Sequence, residues 1–569
     1  MKVVIVGGVA GGATAAARIR RLNEQAEIVV FERSGYISYA NCGLPYYIGG
    51  VIEDKEELTL QTPESFYNRF RIEVKVFHEV IGIDPPDKTV IVRNLKTGEV
   101  FEEKYDKLLL SPGARPFMPD LKGSNSDKIF TLRTVEDTFR IRDAVDVRKP
   151  KSAVIAGGGF IGLEVAENLI GRGIKVTILQ SAKQLMNPFD ADMASLIHAE
   201  ARKHGITLLL GHSVTGFEER DDKISVFAEG TNPLLTDMVI LAIGVTPENA
   251  LAKAAGLKLG IKGSIVVNEK METSVKDIYA VGDAVQVKHF VTGKDSLIAL
   301  AGPANKQGRI AADNICGGNS VYKGSQGSSI IKIFDLTAAS TGISEAAARQ
   351  NGIDCDKVVL SPMNHAGYYP GGKTMTMKVV FEKGTYKLLG AQIIGYDGVD
   401  KRIDVLATAI RANLSAIDLK DLDLAYAPPY SSAKDPVNMA GFMIENIANG
   451  LVKQWFVEDE PALPRDGSVN LLDTRTAREY AGGHVDGFIN IPVDELRERL
   501  SELDQSKPVY VICQSGLRSY IATRILCGYG FQCYNFAGGY RFFEAVRKDR
   551  CLIEKTTDCG MDDLKTKKR

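Results

Sequence analysis

No Cys-x-x-Cys pair occurs in the chain. Its eight cysteines, at 42, 316, 355, 513, 527, 533, 551 and 559, are thinly spread over 569 residues. That spacing argues against a zinc cage or a disulfide framework, so no metal site is expected and individual reactive thiols become the question. An excess of either charge is also missing: 70 Lys and Arg face 71 Asp and Glu, a formal net charge of −1. Phosphate neutralisation needs a basic face, so nucleic acid is not an expected partner. No apolar run reaches the roughly eighteen residues of a membrane span. The opening MKVVIVGG passes directly into a strand and a glycine turn. It leaves no room for a signal peptide, and the expected location is the cytoplasm. Low-complexity segments are absent as well.

Glycine is what the chain has in quantity, 55 residues, and it clusters. At about 150 residues per domain the length predicts three or four folding units. Lys2 to Val6 reads as a strand, Gly7-Gly8-Val9-Ala10-Gly11-Gly12 as a turn, and the Ala- and Arg-rich stretch to Arg21 as a helix. A second strand, Ile28 to Phe31, ends at Glu32 and Arg33. The pattern returns at Ala153 to Ala156, with Gly157-Gly158-Gly159-Phe160-Ile161-Gly162, a helix expected from Leu163, and a strand ending at Gln180. In such a unit the glycines let the backbone approach a pyrophosphate, which the helix N-terminus then binds. The first copy departs from G-x-G-x-x-G at Val9, and the second is complete. Glu32, twenty residues after Gly12, is placed for ribose hydroxyls. Gln180 can do the same without charge, and only Lys183 stands nearby for a 2′-phosphate, which favours NADH and leaves NADPH open.

Leu108-Leu109-Leu110-Ser111-Pro112-Gly113 has an echo in Val239-Ile240-Leu241-Ala242-Ile243-Gly244, and Ile278 to Val281 runs into Gly282-Asp283. From about 328 shorter strands are expected, then a helix-rich stretch from Asp400 to Ile447. Glu458 to Pro464 reads as a linker, and the last dozen residues as a solvated tail. The predicted class is α/β, with two Rossmann-like dinucleotide domains, an α+β interface domain and a C-terminal αβ unit.

The order and spacing of these motifs over residues 1 to about 450 resemble the two-dinucleotide flavoprotein disulfide reductases. The resemblance implies FAD on the first fold, held by Gly7, Gly8, Gly11, Gly12, Glu32, Arg33, Ser111, Gly113, Gly282 and Asp283. It implies NAD(P)H on the second, held by Gly157, Gly159, Ile161, Gly162, Gln180 and Gly244. Members with an internal dithiol need a second cysteine five positions away, but Ile37 and Tyr47 stand there, so Cys42 is alone. Such a thiol must pair with something outside the chain.

The run Asn41-Cys42-Gly43-Leu44-Pro45-Tyr46-Tyr47 resembles the coenzyme A disulfide reductases of that superfamily. This resemblance implies a mixed disulfide of Cys42 with coenzyme A and a homodimer whose partner supplies tyrosines. Tyr368 or Tyr369, with Tyr368 favoured, and Tyr426 match those positions; a phenol can protonate a departing thiolate. Coenzyme A carries phosphates, for which Arg18, Arg21 and Arg71 are candidates, with Ser38 and Asn41 for the pantetheine arm.

Near the C-terminus Cys513-Gln514-Ser515-Gly516-Leu517-Arg518-Ser519 follows an apolar strand and precedes a helix, an anion nest able to hold a persulfide. It resembles the rhodanese domains; Arg518, five positions after Cys513, is one short of the phosphatase spacing. Asp473, Arg475 and His484 read as loop supports, and Cys527, Cys533, Cys551 and Cys559 as packing or surface thiols.

The expected domains are FAD-binding at 1–112 and 246–325, NAD(P)H-binding at 113–245, interface at 326–450, linker at 451–464, rhodanese-like at 465–556 and tail at 557–569. The expected activity is flavin-dependent reduction of coenzyme A disulfide, persulfides or polysulfides by NAD(P)H, with Cys513 carrying sulfane sulfur. Two alternatives stay open: an NADH oxidase or peroxidase using a Cys42 sulfenic acid, and a redox- or coenzyme-A-responsive binding protein.

Overall fold

The computed structural model describes residues 1–554. The expected tail at 557–569 and Cys559 lie outside the described residues. Two compact units are present, one of Met1–Ser181 with Gly205–Gly327, the other of Ala182–His204 with the chain from Ser328 onward.

The first unit contains the same fold twice. Strand Lys2–Val6 lies between Glu27–Glu32 and Lys107–Leu110, all parallel, with Ile278–Ala280 and Glu73–Val76 at the edges. Strand Ser152–Ala156 is likewise flanked by Lys175–Gln180 and Met238–Leu241, with Ile129–Thr131 and Thr207–Leu210 outermost. Both central strands are apolar runs buried on both faces, as parallel sheets require. The helices after them, Ala10–Leu22 and Phe160–Gly171, start earlier than a count from the last motif glycine suggests; the second opens at Phe160, not Leu163.

The glycine turns repeat sterically as well. A Cβ on Gly7, at φ +96°, would lie 2.2 Å from the Ser111 carbonyl oxygen, and one on Gly12 would lie 1.9 Å from that of Gly7. In the second copy Gly157, at φ +106°, meets Ala242 at 2.2 Å and Gly162 meets Gly157 at 2.0 Å. A side chain is therefore barred at the first and last motif positions of both turns. The middle position differs: a Cβ on Gly159 meets nothing within 4 Å, which explains why Val9 is accommodated in the other copy.

In the second unit an antiparallel sheet runs in the order Ser329–Ile333, Leu336–Gly342, Leu388–Gly395, Met375–Glu382, Cys355–Leu360. Its strands reach eight residues, longer than expected from the polar turns between them. Helix Val399–Arg411 packs on this sheet, and Pro436–Ala448 follows. Residues 182–204, expected in the nucleotide domain, belong to this unit: Lys378, 1% exposed, binds Asp190, Asp192 and Glu345 at 3.1, 2.9 and 2.9 Å.

A separate parallel sheet ends the chain, ordered Lys453–Trp455, Cys533–Phe536, Val509–Ile512, Asn470–Asp473, Ile489–Asn490. The segment 451–464 is therefore more than a linker. It supplies an edge strand and a core side chain, Trp455, whose Nε1 donates to the Val511 carbonyl at 3.2 Å. Cys533 is buried there beside Cys527; Cys551, in the last helix, is not a free thiol.

Candidate functional site

In the first unit the acid at the end of the second strand turns back to the glycine loop. Glu32 is buried, and its carboxylate accepts the N–H groups of Gly8 at 2.9 Å and Ser34 at 2.8 Å. Gln180 repeats the arrangement, its Oε1 accepting the Gly158 N–H at 2.9 Å. Because a backbone N–H can only donate, the carbonyl end of Gln180 faces the loop, leaving the Nε2 donors for whatever the loop holds. The paired cradles, with room over Gly159 and Gly244, fit two dinucleotides.

Asp283 follows Gly282 at φ +82°, whose N–H is fixed by Gln307 Oε1 at 2.7 Å. Its carboxylate binds Arg133 at 2.7 Å, a partner that no sequence motif suggested. Arg33 lies exposed, 3.7 Å from Glu248.

Cys42 is exposed on a short turn, Asn41–Gly43, that feeds helix Leu44–Gly49. That helix presses on Phe160–Gly171: a Cβ on Gly49 would lie 1.9 Å from Asn168 Oδ1. Packing around the sulfur pushes the thiol pKa up, Glu164 adds to this, Arg133 opposes it, and Asp283 adds again. Glu164 was missed by sequence reasoning, although it lies two residues past the last glycine of the second loop. Burial, then Glu167, pushes its carboxyl up to about 7. Tyr46, beside it, is raised to about 12 by burial, then Glu164 and Glu167.

The coenzyme A candidates have varied surroundings. Arg18 is ion-paired to Asp313 at 2.8 Å. Arg71 ends helix Pro63–Phe70 in a left-handed conformation, φ 50°, with its guanidinium 5.2 Å from the Tyr67 ring centre. Ser38, also at positive φ, donates its N–H to the Gly8 carbonyl at 2.9 Å, and Asn41 opens the Cys42 turn. Arg21 lies in the last turn of helix Ala10–Leu22.

In the second unit the structure brings Tyr368 and Tyr426 together, their hydroxyls 2.8 Å apart, with both side chains exposed. The bond to Tyr426 raises the Tyr368 pKa. Tyr369 turns to His365 instead, ring centres 5.6 Å apart.

Cys513 caps strand Val509–Ile512, fully buried, and its sulfur accepts the Gly516 N–H at 3.1 Å. Gly516 has φ +102°, and a Cβ on Gly539 would strike Ser515 Cα at 2.5 Å, so two glycines permit the loop. Ser519 Oγ donates to the Gly516 carbonyl at 3.1 Å, and helix Leu517–Gly528 starts there. Arg518 binds both oxygens of Glu479, a partner that spacing did not reveal. Arg475 is buried on Asp473 and donates to Gln514 Oε1 at 3.4 Å, supporting the loop. No metal-binding cluster, and no helix long and apolar enough to cross a membrane, occurs among the described residues.

Residues 1–308 match the pyridine nucleotide-disulphide oxidoreductases, 328–436 the dimerisation domain of those enzymes, and 460–545 the rhodanese-like domain. The chain is 38% identical over 447 residues to a coenzyme A disulfide reductase of Staphylococcus haemolyticus, covering 78% of this chain and all of the relative. Among solved structures, reduced CoADR-RHD of Bacillus anthracis is 47% identical with TM-score 0.94, over 96% of this chain and 98% of that one. An NAD-dependent persulfide reductase from A. fulgidus is 36% identical with TM-score 0.90, over 95% and 100%. A water-forming NADH oxidase from Lactobacillus brevis is 29% identical with TM-score 0.76, over 79% and 100%.

Proposed function

The chain belongs to the pyridine nucleotide-disulphide oxidoreductase family, and from that premise we propose that it reduces sulfur–sulfur bonds of coenzyme A disulfide, persulfides or polysulfides at Cys42. FAD and NAD(P)H, held on the two glycine cradles, would supply the two electrons. The observation that carries the reading is the solitary thiol: Cys42 is free, and Ile37 and Tyr47 stand where a second cysteine would have to be.

The Cys42 thiolate attacks one sulfur of the substrate. A Cys42–sulfur bond forms, the substrate's own S–S bond breaks, and the departing thiolate takes up a proton. Tyr368 and Tyr426 of the partner subunit donate it; the 2.8 Å hydroxyl contact lets one phenol support the other as it loses its proton. Two electrons and a further proton then return Cys42 to the thiolate and release the second product as a thiol. Arg133, neutralised by Asp283 yet still lowering the Cys42 pKa, keeps part of the positive field at the sulfur.

The rhodanese loop extends the substrate range. Cys513, cradled by the Gly516 N–H, takes sulfane sulfur from a donor as a persulfide and passes it to a carrier thiol such as coenzyme A. The persulfide so formed is a substrate for Cys42. NADH is the favoured donor, and the working form is a homodimer.

Mass spectrometry of the denatured, non-reduced protein tests this directly. A coenzyme A adduct on Cys42, together with NADH-dependent reduction of coenzyme A disulfide, is expected. A Cys42 sulfenic acid with turnover of oxygen or peroxide and none of disulfide would move the protein to the oxidase reading, and no turnover at all to a binding role.

A further inference from the structure

Tyr368 and Tyr426 sit on loops far apart in sequence, yet one buried guanidinium binds both loops. Arg402, 1% exposed on helix Val399–Arg411, donates through Nη2 to the carbonyl oxygens of Asn364 at 2.8 Å and Tyr430 at 3.2 Å. Tyr368 lies four residues after Asn364, and Tyr426 four before Tyr430. Other acceptors surround the group: Nη1 donates to the Gly398 carbonyl at 3.0 Å and Nε to Asp435 Oδ2 at 3.2 Å, while Asp435 Oδ2, 3.0 Å from Nη2, shares the two Nη2 N–H groups with the loop carbonyls. Ser431 Oγ accepts from Nη2 at 3.2 Å and donates to Asp435 at 2.7 Å. The loops are tied to each other as well, the Ala366 N–H donating to the Ser431 carbonyl at 3.0 Å.

A buried ion pair is a poor way to gain stability, because desolvating two charges offsets most of their attraction. What this pair does supply is geometry. A planar fork meets acceptors at fixed angles, which an apolar side chain or a lysine cannot do.

We propose that Arg402 is a positioning residue for sulfur reduction, fixing the two loops so that the Tyr368 and Tyr426 hydroxyls meet and act as one proton donor. The proposal rests on the role given to the two phenols above. Only the step that needs that donor should suffer when Arg402 is changed; reduction of the flavin by NADH should not.

Stopped-flow measurements on the flavin-loaded dimer separate the two steps. In Arg402→Lys, flavin reduction by NADH, the circular dichroism spectrum and the assembly mass should stay as in the wild type. Reoxidation by coenzyme A disulfide should slow by up to about a hundredfold, the order expected for a reacting group misplaced by about 1 Å. Ser431→Ala, which removes one acceptor of the fork, should act in the same direction by a smaller factor, and it decides the matter if Arg402→Lys does not fold. In a Tyr368→Phe/Tyr426→Phe background the Arg402→Lys effect should vanish, and a crystal structure of the single variant should show the hydroxyls out of hydrogen-bond reach. Equal slowing of both half-reactions, or an undiminished effect in the phenol-free background, overturns the proposal. A phenol-free enzyme that is slow while both clamp variants are normal removes the positioning role alone. A phenol-free enzyme that reoxidises normally removes the tyrosine reading together with it.

Discussion

Arg518 binds the two carboxylate oxygens of Glu479 at 2.7 Å each, tying the helix that follows Cys513 to helix Ala477–Ala481. The same glutamate completes a capping box with Thr476 at the start of helix Ala477–Ala481. Arg518 first, then the Thr476 bonds, bring the Glu479 carboxyl down to about 2 against an opposing effect of burial.

Removing that charge should loosen the loop's arginine. Glu479→Gln is expected to lower thiosulfate-dependent sulfur transfer at Cys513 about tenfold, the scale of one charged hydrogen bond, with reduction of coenzyme A disulfide unchanged. The stability effect has a definite sign. Folded Glu479 titrates near 2 and the unfolded residue near 4.5, so its contribution is present above 4.5 and lost as pH falls toward 2. The thermal midpoints of wild type and variant should converge over that window; a constant difference would show that the ion pair is not its source.

The two thiols should separate by activity. Cys42→Ser should retain flavin and sulfur transfer through Cys513 while losing all NADH-dependent reduction of coenzyme A disulfide. Cys513→Ser should keep that reduction and lose turnover that starts from a sulfane donor. Polysulfide-dependent NADH oxidation that survives in Cys513→Ser would show that acceptors reach Cys42 without the relay.

Nucleotide choice should follow the orientation of Gln180. With Oε1 committed to Gly158, its Nε2 offers donors, which suit either a ribose hydroxyl or a 2′-phosphate oxygen. Gln180→Glu keeps the acceptor for Gly158 and replaces the donors by a second carboxylate oxygen. The expected outcome is a loss of NADPH use of about tenfold or more, with NADH use kept or improved; steady-state kcat/KM for both nucleotides checks it. Equal losses for both would mean that the side chain does not face the ribose.

What could be read from the residues alone was whatever is local in sequence. Gly12 and Gly162 are demanded by the Gly7 and Gly157 carbonyls of their own turns, so there motif and geometry coincide, whereas the Ser111 and Ala242 carbonyls that crowd Gly7 and Gly157 are brought in by the fold. Cys513 and its loop form one continuous stretch. Partnerships that the tertiary fold creates left no local trace: Arg133 with Asp283, Arg518 with Glu479, and Arg402 with Asn364 and Tyr430 join positions 28 to 150 residues apart. Lys453–Trp455 was hidden for another reason. A three-residue edge strand beside a Glu- and Pro-rich stretch has no periodicity to show.

Glu164 gives the clearest pH dependence. It lies on helix Phe160–Gly171 facing Cys42 and Tyr46, and burial followed by Glu167 holds its carboxyl up to about 7 instead of 4.5. Between those values the folded chain keeps a proton that the unfolded chain has released. The stability this provides is full below pH 4.5 and is lost as pH rises through about 7. The same ionisation places a negative charge near Cys42 that, on top of burial, raises its thiol pKa. Glu164→Gln removes the charge at every pH. Alkylation of Cys42 by iodoacetamide above pH 7 should then run a few-fold faster than in the wild type, and the fall in thermal midpoint between pH 5 and 8 should shrink. An unchanged alkylation profile would place the Glu164 charge too far from the sulfur to act on it.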